Sequence, residues 1–164
     1  SKNCDNIKAR KISLVLGKAL MDVVEGQVQD LENEGKHISL ADLKKMHLLK
    51  TSALIEASLE IGAIAASASQ KQIKALSSYG RHLGLAFQIA DDILDVVSST
   101  EVLGKPARLD EKNNKSTYVS ILGLEKAKKL AQHHKNEALR SLSIFKDKAD
   151  VFRALAEFVV NRKS

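Results

Sequence analysis

The sequence predicts an all-α helical bundle, and three observations carry that reading. Ala, Leu, Lys and Glu are abundant, so intrinsic preference favours helix along most of the chain. One proline and eight glycines leave long stretches without a breaker. No stretch alternates apolar and polar residues convincingly with the period of two that a half-buried strand needs.

The elements follow in order. A first helix is predicted over about Ile7–Leu31, stopping at Glu34-Gly35-Lys36-His37. Ser39, with Asp42 three residues on, reads as a capping signal for a second helix over about Leu40–Ser67. A third spans about Lys71–Val97 and a polar loop follows, "SSTEVLGKPARLDEKNNK", with the only proline. A fourth helix starts near Ser116–Tyr118, has a candidate interruption at Gly123 and reaches about Ser143; a fifth covers about Asp147–Arg162.

The 164 residues suffice for one domain, residues 1–164, with a real core. The formal charge of +6 suits a phosphorylated ligand or a nucleic acid and decides neither. Aromatic residues at 4% leave few platforms for stacking bases, which counts against nucleic acid. A single cysteine, Cys4, excludes an internal disulfide framework and fits a reducing compartment, so a cytoplasmic location is expected. No apolar run approaches a membrane span, and no secretory signal is visible.

The stretch "FQIADDILD", residues 87–95, places three carboxylates among Leu, Ile and Val. On a helical wheel Arg81, Gly84, Gln88, Asp91, Asp92 and Asp95 share a sector of roughly 100°, and the rest of the helix is apolar. That stripe lines a cavity or meets solvent. Asp91 and Asp95 lie one turn apart and offer hard oxygens that suit Mg²⁺ together with a substrate phosphate. A solvated surface face is the alternative. Gly84 leaves room for a ligand or a close neighbour.

Lys50 falls on one side with Leu43, Met46, Leu54, Ala57 and Ile61, away from the other charges of its helix. Such a lysine needs an anion or a wet cavity, or else snorkels to the surface. Thr51 adds a hydroxyl. Gln27 and Asp30 sit three apart near the end of the first helix; on their own they read as helix-end polarity. The loop Ser98–Lys115 carries Lys105, Arg108, Lys112 and Lys115, and its length suits a lid, with a surface connector as the alternative.

"GQVQDLENEGK", "HLLKTSALIEASLEIGA", "LGLAFQIADDILDVV" and "LGKPARLDEKNNKSTYVSILGLEKAKKLA" together resemble the C-terminal part of trans-isoprenyl diphosphate synthases, most nearly the bacterial farnesyl diphosphate synthase group. The resemblance covers nearly the whole chain. It implies an isoprenoid synthase type fold, a Mg²⁺-dependent condensation of an allylic diphosphate (dimethylallyl or geranyl) with isopentenyl diphosphate to a farnesyl-length product, and a homodimer. It assigns Asp91, Asp92 and Asp95 to metal binding. It assigns Lys50, Thr51, Gln88, Lys105 and Lys115 to the diphosphates, with Lys50, Thr51, Gln88 and Asp91 as the catalytic set. Gln27 and Asp30 would line the cavity, Asp30 ordering metal-bound water, and the Arg162–Lys163 tail would help seal it. The family usually has glycines near Arg108 and Asn114, which this chain lacks. Its first aspartate-rich motif is also missing here, so an N-terminal part is expected to be absent and the chain alone inactive. A non-catalytic subunit of the same fold and a terpene cyclase are the alternatives.

Overall fold

The structure, a computed structural model, describes residues 6–103 and 115–162; Lys105, Arg108, Lys112, Asn114 and Lys163 lie outside them. Seven α-helices are seen among the described residues: α1 (Asn6–Glu32), α2 (Leu40–His47), α3 (Ala53–Ala65), α4 (Gln70–Leu103), α5 (Tyr118–Leu122), α6 (Leu124–Ser141) and α7 (Asp150–Asn161). A π-helical turn, Leu48–Ser52, joins α2 to α3, and a 3₁₀ segment, Ser143–Ala149, joins α6 to α7. Among the described residues there is no strand.

Local chemistry sets the starts and stops. Ser39 caps α2: its hydroxyl accepts from the Asp42 amide at 3.2 Å. Ser69 and Gln72 cap the start of α4 reciprocally, the Gln72 amide donating to Ser69 Oγ at 3.3 Å and the Ser69 amide to Gln72 Oε1 at 2.9 Å. Thr117 and Ser120 form the same box at α5. Gly123 then breaks the helix with φ +79°, which a residue without Cβ adopts readily.

The long second helix expected over residues 40–67 is in fact two helices separated by the π turn, closed by the Ala53 amide on the Leu48 carbonyl. The inserted residue rotates everything beyond it on the wheel. Leu43, Met46 and Ala57 are buried as expected, whereas Leu54 is 42% exposed.

Helix α4 is the axis of the molecule and packs against α2, the π turn, α3, α5, α6 and α7. One core joins Tyr79 and Leu83 of α4 to Ala138, Leu142, Ala156 and Val159. A second joins Ile89 to Leu43, Met46, Tyr118, Ala127 and Ala131. The alanines let α6 lie close along α4. The Tyr79 hydroxyl donates to the Phe152 carbonyl at 2.7 Å and ties α7 to the axis. Among the described residues no helix is long and apolar enough to cross a membrane.

Candidate functional site

Helix α1 meets the π turn at Gly26, where a Cβ would stand 2.3 Å from the Lys50 amide nitrogen. Only glycine permits that approach. One turn further along, Asp30 is buried at 4% exposure. Its Oδ2 accepts from Lys50 Nζ at 2.5 Å, and its Oδ1 faces Lys115 Nζ at 2.6 Å. Burial raises the Asp30 carboxyl, but the two ammonium groups outweigh it, so the group rests below the usual carboxylate range. Lys115 is held at its other side too. Ser116 accepts from the Ile38 amide at 3.2 Å and donates to the Lys36 carbonyl at 3.0 Å. Lys50 therefore does have an anion, and the anion is Asp30.

A second line of contacts crosses from the π turn to α4 and α5. Thr51 Oγ1 donates to Gln88 Oε1 at 3.1 Å. The Gln88 side chain also bonds Asp92. Asp92 Oδ2 accepts from the Tyr118 amide at 2.8 Å, so this carboxylate caps the start of α5. Burial pushes its carboxyl up to about 6, against the pull of the Tyr118 and Gln88 hydrogen bonds and with help from Asp95 and Asp91.

Asp91 is half-buried and forms an ion pair with Arg162, whose guanidinium lies 4.4 Å from the centre of the Phe87 ring. Burial raises the Asp91 carboxyl, Arg162 lowers it and Asp95 raises it; the balance is upward. Asp95 is exposed, and Gln27 is exposed on α1.

The three aspartates thus divide their labour. Asp92 turns into the bundle as a structural acceptor, while Asp91 and Asp95 remain one turn apart towards the outside. Among the described residues no three His, Cys, Asp or Glu side chains converge on a point able to hold a metal ion. Two hard carboxylates one turn apart, Asp95 raising the Asp91 carboxyl, still fit Mg²⁺, which takes one or two carboxylates and completes its shell with water and phosphate oxygens. A cavity of about 570 Å³ lies between α1 and α3, lined by Leu14, Ala19, Leu49, Ala53, Ala57 and Arg81 among others, and Lys50, Asp91, Asp92 and Asp95 are not among its lining residues. Gly84 serves a neighbour, not a ligand: a Cβ there would meet Ser52 Oγ at 2.5 Å.

Sequence reasoning missed His47. It precedes the π turn, is 5% exposed, and stacks at 5.4 Å on Tyr118. Burial, with Lys50 and Lys115 adding and Asp30 opposing, pushes it down to about 4, so it is neutral. Neither its Nδ1 nor the Tyr118 hydroxyl has a hydrogen-bond partner. Its position three before Lys50, on the side of Leu43 and Met46, is the only signal in the sequence.

A long buried axis helix with an acidic stripe, beside a lysine-bearing turn, defines a protein of the all-α isoprenoid synthase fold. The chain belongs to the Polyprenyl synthetase family, which it matches over residues 1–158. It is 44% identical over 138 residues to a dimethylallyltranstransferase of Fischerella ambigua (strain UTEX 1903), covering 84% of this chain and 40% of that one. It is 40% identical over 141 residues to the farnesyl diphosphate synthase of Escherichia coli (strain K12), covering 84% and 47%. Its fold superposes on the geranylgeranyl pyrophosphate synthetase of Pyrococcus horikoshii Ot3 with a TM-score of 0.87 at 30% identity, over 98% of this chain and 61% of that one. The chain therefore spans less than half the length of these two curated relatives.

Proposed function

We propose that this chain is the diphosphate-gripping part of a Mg²⁺-dependent prenyltransferase. The reaction joins an allylic diphosphate to isopentenyl diphosphate and gives a longer prenyl diphosphate, of farnesyl length. The enzyme works as a homodimer in the cytoplasm, and this chain alone does not turn over. The observation that carries the reading is Asp30 held between the ammonium groups of Lys50 and Lys115, beside the Thr51–Gln88–Asp92 line.

Ionising an allylic diphosphate puts two kinds of charge into the site: a diphosphate anion that must be held and a carbocation that must be kept from water. Lys50 and Lys115 offer two ammonium groups that one buried carboxylate keeps aligned and only half neutralises. Thr51 offers a hydroxyl whose direction Gln88 fixes. Asp91 and Asp95 would hold Mg²⁺, which supplies positive charge for the departing diphosphate. Arg162, now paired with Asp91, would be released by a metal held there, and its cation could then face substrate phosphate.

The test uses the chain co-expressed with the N-terminal segment of the E. coli relative, and labelled isopentenyl diphosphate. Lys50→Ala raises KM for the allylic substrate by ~10-fold or more, the loss of one charge-assisted contact. Asp91→Ala lowers kcat by at least ~10²-fold without changing the helical signal. Unchanged kinetics in both variants would reject the proposal.

A further inference from the structure

Three parts of the diphosphate site meet at one residue. Tyr118 opens α5 and is 1% exposed. Its amide donates to Asp92 Oδ2 at 2.8 Å, which fixes it to the aspartate-bearing helix α4. Three residues before it stands Lys115, one of the two cations on Asp30. Its ring lies 5.4 Å from the His47 ring, tilted by 45°. Three residues after His47 stands Lys50, the other cation on Asp30. The two rings therefore join the segment that carries Lys50 to the segment that carries Lys115. Asp30 holds the two ammonium groups at their tips; the rings hold the two segments at their base.

Both side chains carry a polar atom that this packing does not use. The Tyr118 hydroxyl and His47 Nδ1 are buried and have no hydrogen-bond partner among the described residues. Phenylalanine at either place would fill the same space without stranding a donor or acceptor, and stranding one costs stability. His47 is neutral, so its Nδ1 donates or accepts according to the tautomer. A water molecule satisfies either case, because it does both. It is also the ligand that fits the place: side chains 1% and 5% exposed leave no way in for a larger one.

We propose that one buried water joins the Tyr118 hydroxyl to His47 Nδ1, and that this bridge makes the two residues the positioning pair of the diphosphate site. It sets how far apart the Lys50 and Lys115 segments stand, and so how the two ammonium groups meet a diphosphate. Two rings in contact can slide over one another, whereas a bridge of two hydrogen bonds has a direction. The inference rests on the diphosphate reading above and adds the residues that keep its lysines in place.

Isothermal titration of the full 164-residue chain with inorganic pyrophosphate in the presence of Mg²⁺, beside urea unfolding, tests it. The wild type binds, and Lys50→Ala raises the Kd by ~10-fold or more. Tyr118→Phe and His47→Phe each lower the urea midpoint, because each leaves the other's polar atom and the water short of a bond. Each also raises the pyrophosphate Kd by ~5-fold, the worth of about one hydrogen bond. The double variant H47F/Y118F strands neither atom, so its midpoint returns to that of wild type. Its Kd stays raised by ~5-fold, since the bridge is gone. An affinity that recovers together with the midpoint leaves the pair a role in stability alone and overturns the positioning role. Single variants with wild-type midpoints, or midpoints that fall additively in the double, show no shared water and overturn the bridge. Unchanged Kd in all three variants overturns the proposal, while the loss in Lys50→Ala keeps the diphosphate reading standing. A wild type that takes up no pyrophosphate at about 1 mM, or a Lys50→Ala variant of wild-type affinity, overturns both.

Discussion

A carboxylate buried to 4% exposure cannot stand alone, and Asp30 does not: two lysines from distant parts of the chain, Lys50 and Lys115, converge on it. Neither pairing was legible from local sequence, because each depends on which helices lie side by side. Asp30→Asn is expected to lower unfolding free energy by about 1–2 kcal/mol, less than for a fully buried pair because both lysines reach solvent. Urea unfolding measures it. The histidines give a second expectation at this scale. His82 and His134 face each other at 2.9 Å through their Nδ1 atoms, so one ring donates and the other accepts. Burial first, then neighbouring cations, pushes His134 down to about 4, and burial also lowers His82. Their folded values lie below the ordinary 6.5, so their stabilisation is complete above that pH and drains as pH falls toward 4. His47 acts in the same direction. Asp92, raised to about 6, takes up a proton in the folded state and offsets one of them over the same window. Replacing His134 with Gln should cut the slope of stability against pH by up to about 1.4 kcal/mol per pH unit between pH 6.5 and 4. Parallel curves for the two proteins would dispose of this account.

At the scale of elements, most of the helices could be read from the sequence because their signals are local. Ser39 caps α2, Gly123 interrupts the fourth predicted helix, and Asp91 and Asp95 keep to the outer side of α4, whereas Asp92 turns inward, off the sector the wheel gave it. The π turn could not be read. Leu48–Ser52 contains neither Gly nor Pro, and an extra residue in a helix changes the hydrogen-bond ladder without changing composition. What fixes it is tertiary: Gly26 of α1 and Gly84 of α4 press on its backbone from two sides. Gly26→Ala is therefore expected to cost about 1–3 kcal/mol by overpacking, although alanine is the better helix former. Because the clash is with Lys50 itself, the same variant should also weaken binding of the allylic substrate in the reconstituted enzyme. A variant that is more stable than wild type, with unchanged KM, would show that α1 does not set the position of the turn.

For the molecule as a whole, stability is distributed unevenly. Helix α4 is surrounded by helices along most of its length, with Tyr79, Leu83, Leu85, Ala86, Ile89 and Ala90 all buried. Helix α1 is nearly as long but is held on one side only, through the edge that meets the π turn and α3. Amide exchange through global unfolding should therefore dominate the centre of α4, while α1 opens in a smaller excursion that leaves the two cores intact. Peptides covering residues 14–31 should exchange well before those covering residues 83–90. Hydrogen exchange read by mass spectrometry resolves these peptides. Equal exchange rates in the two sets of peptides would mean that α1 and α4 open together, and that the asymmetry of burial does not govern how this molecule comes apart.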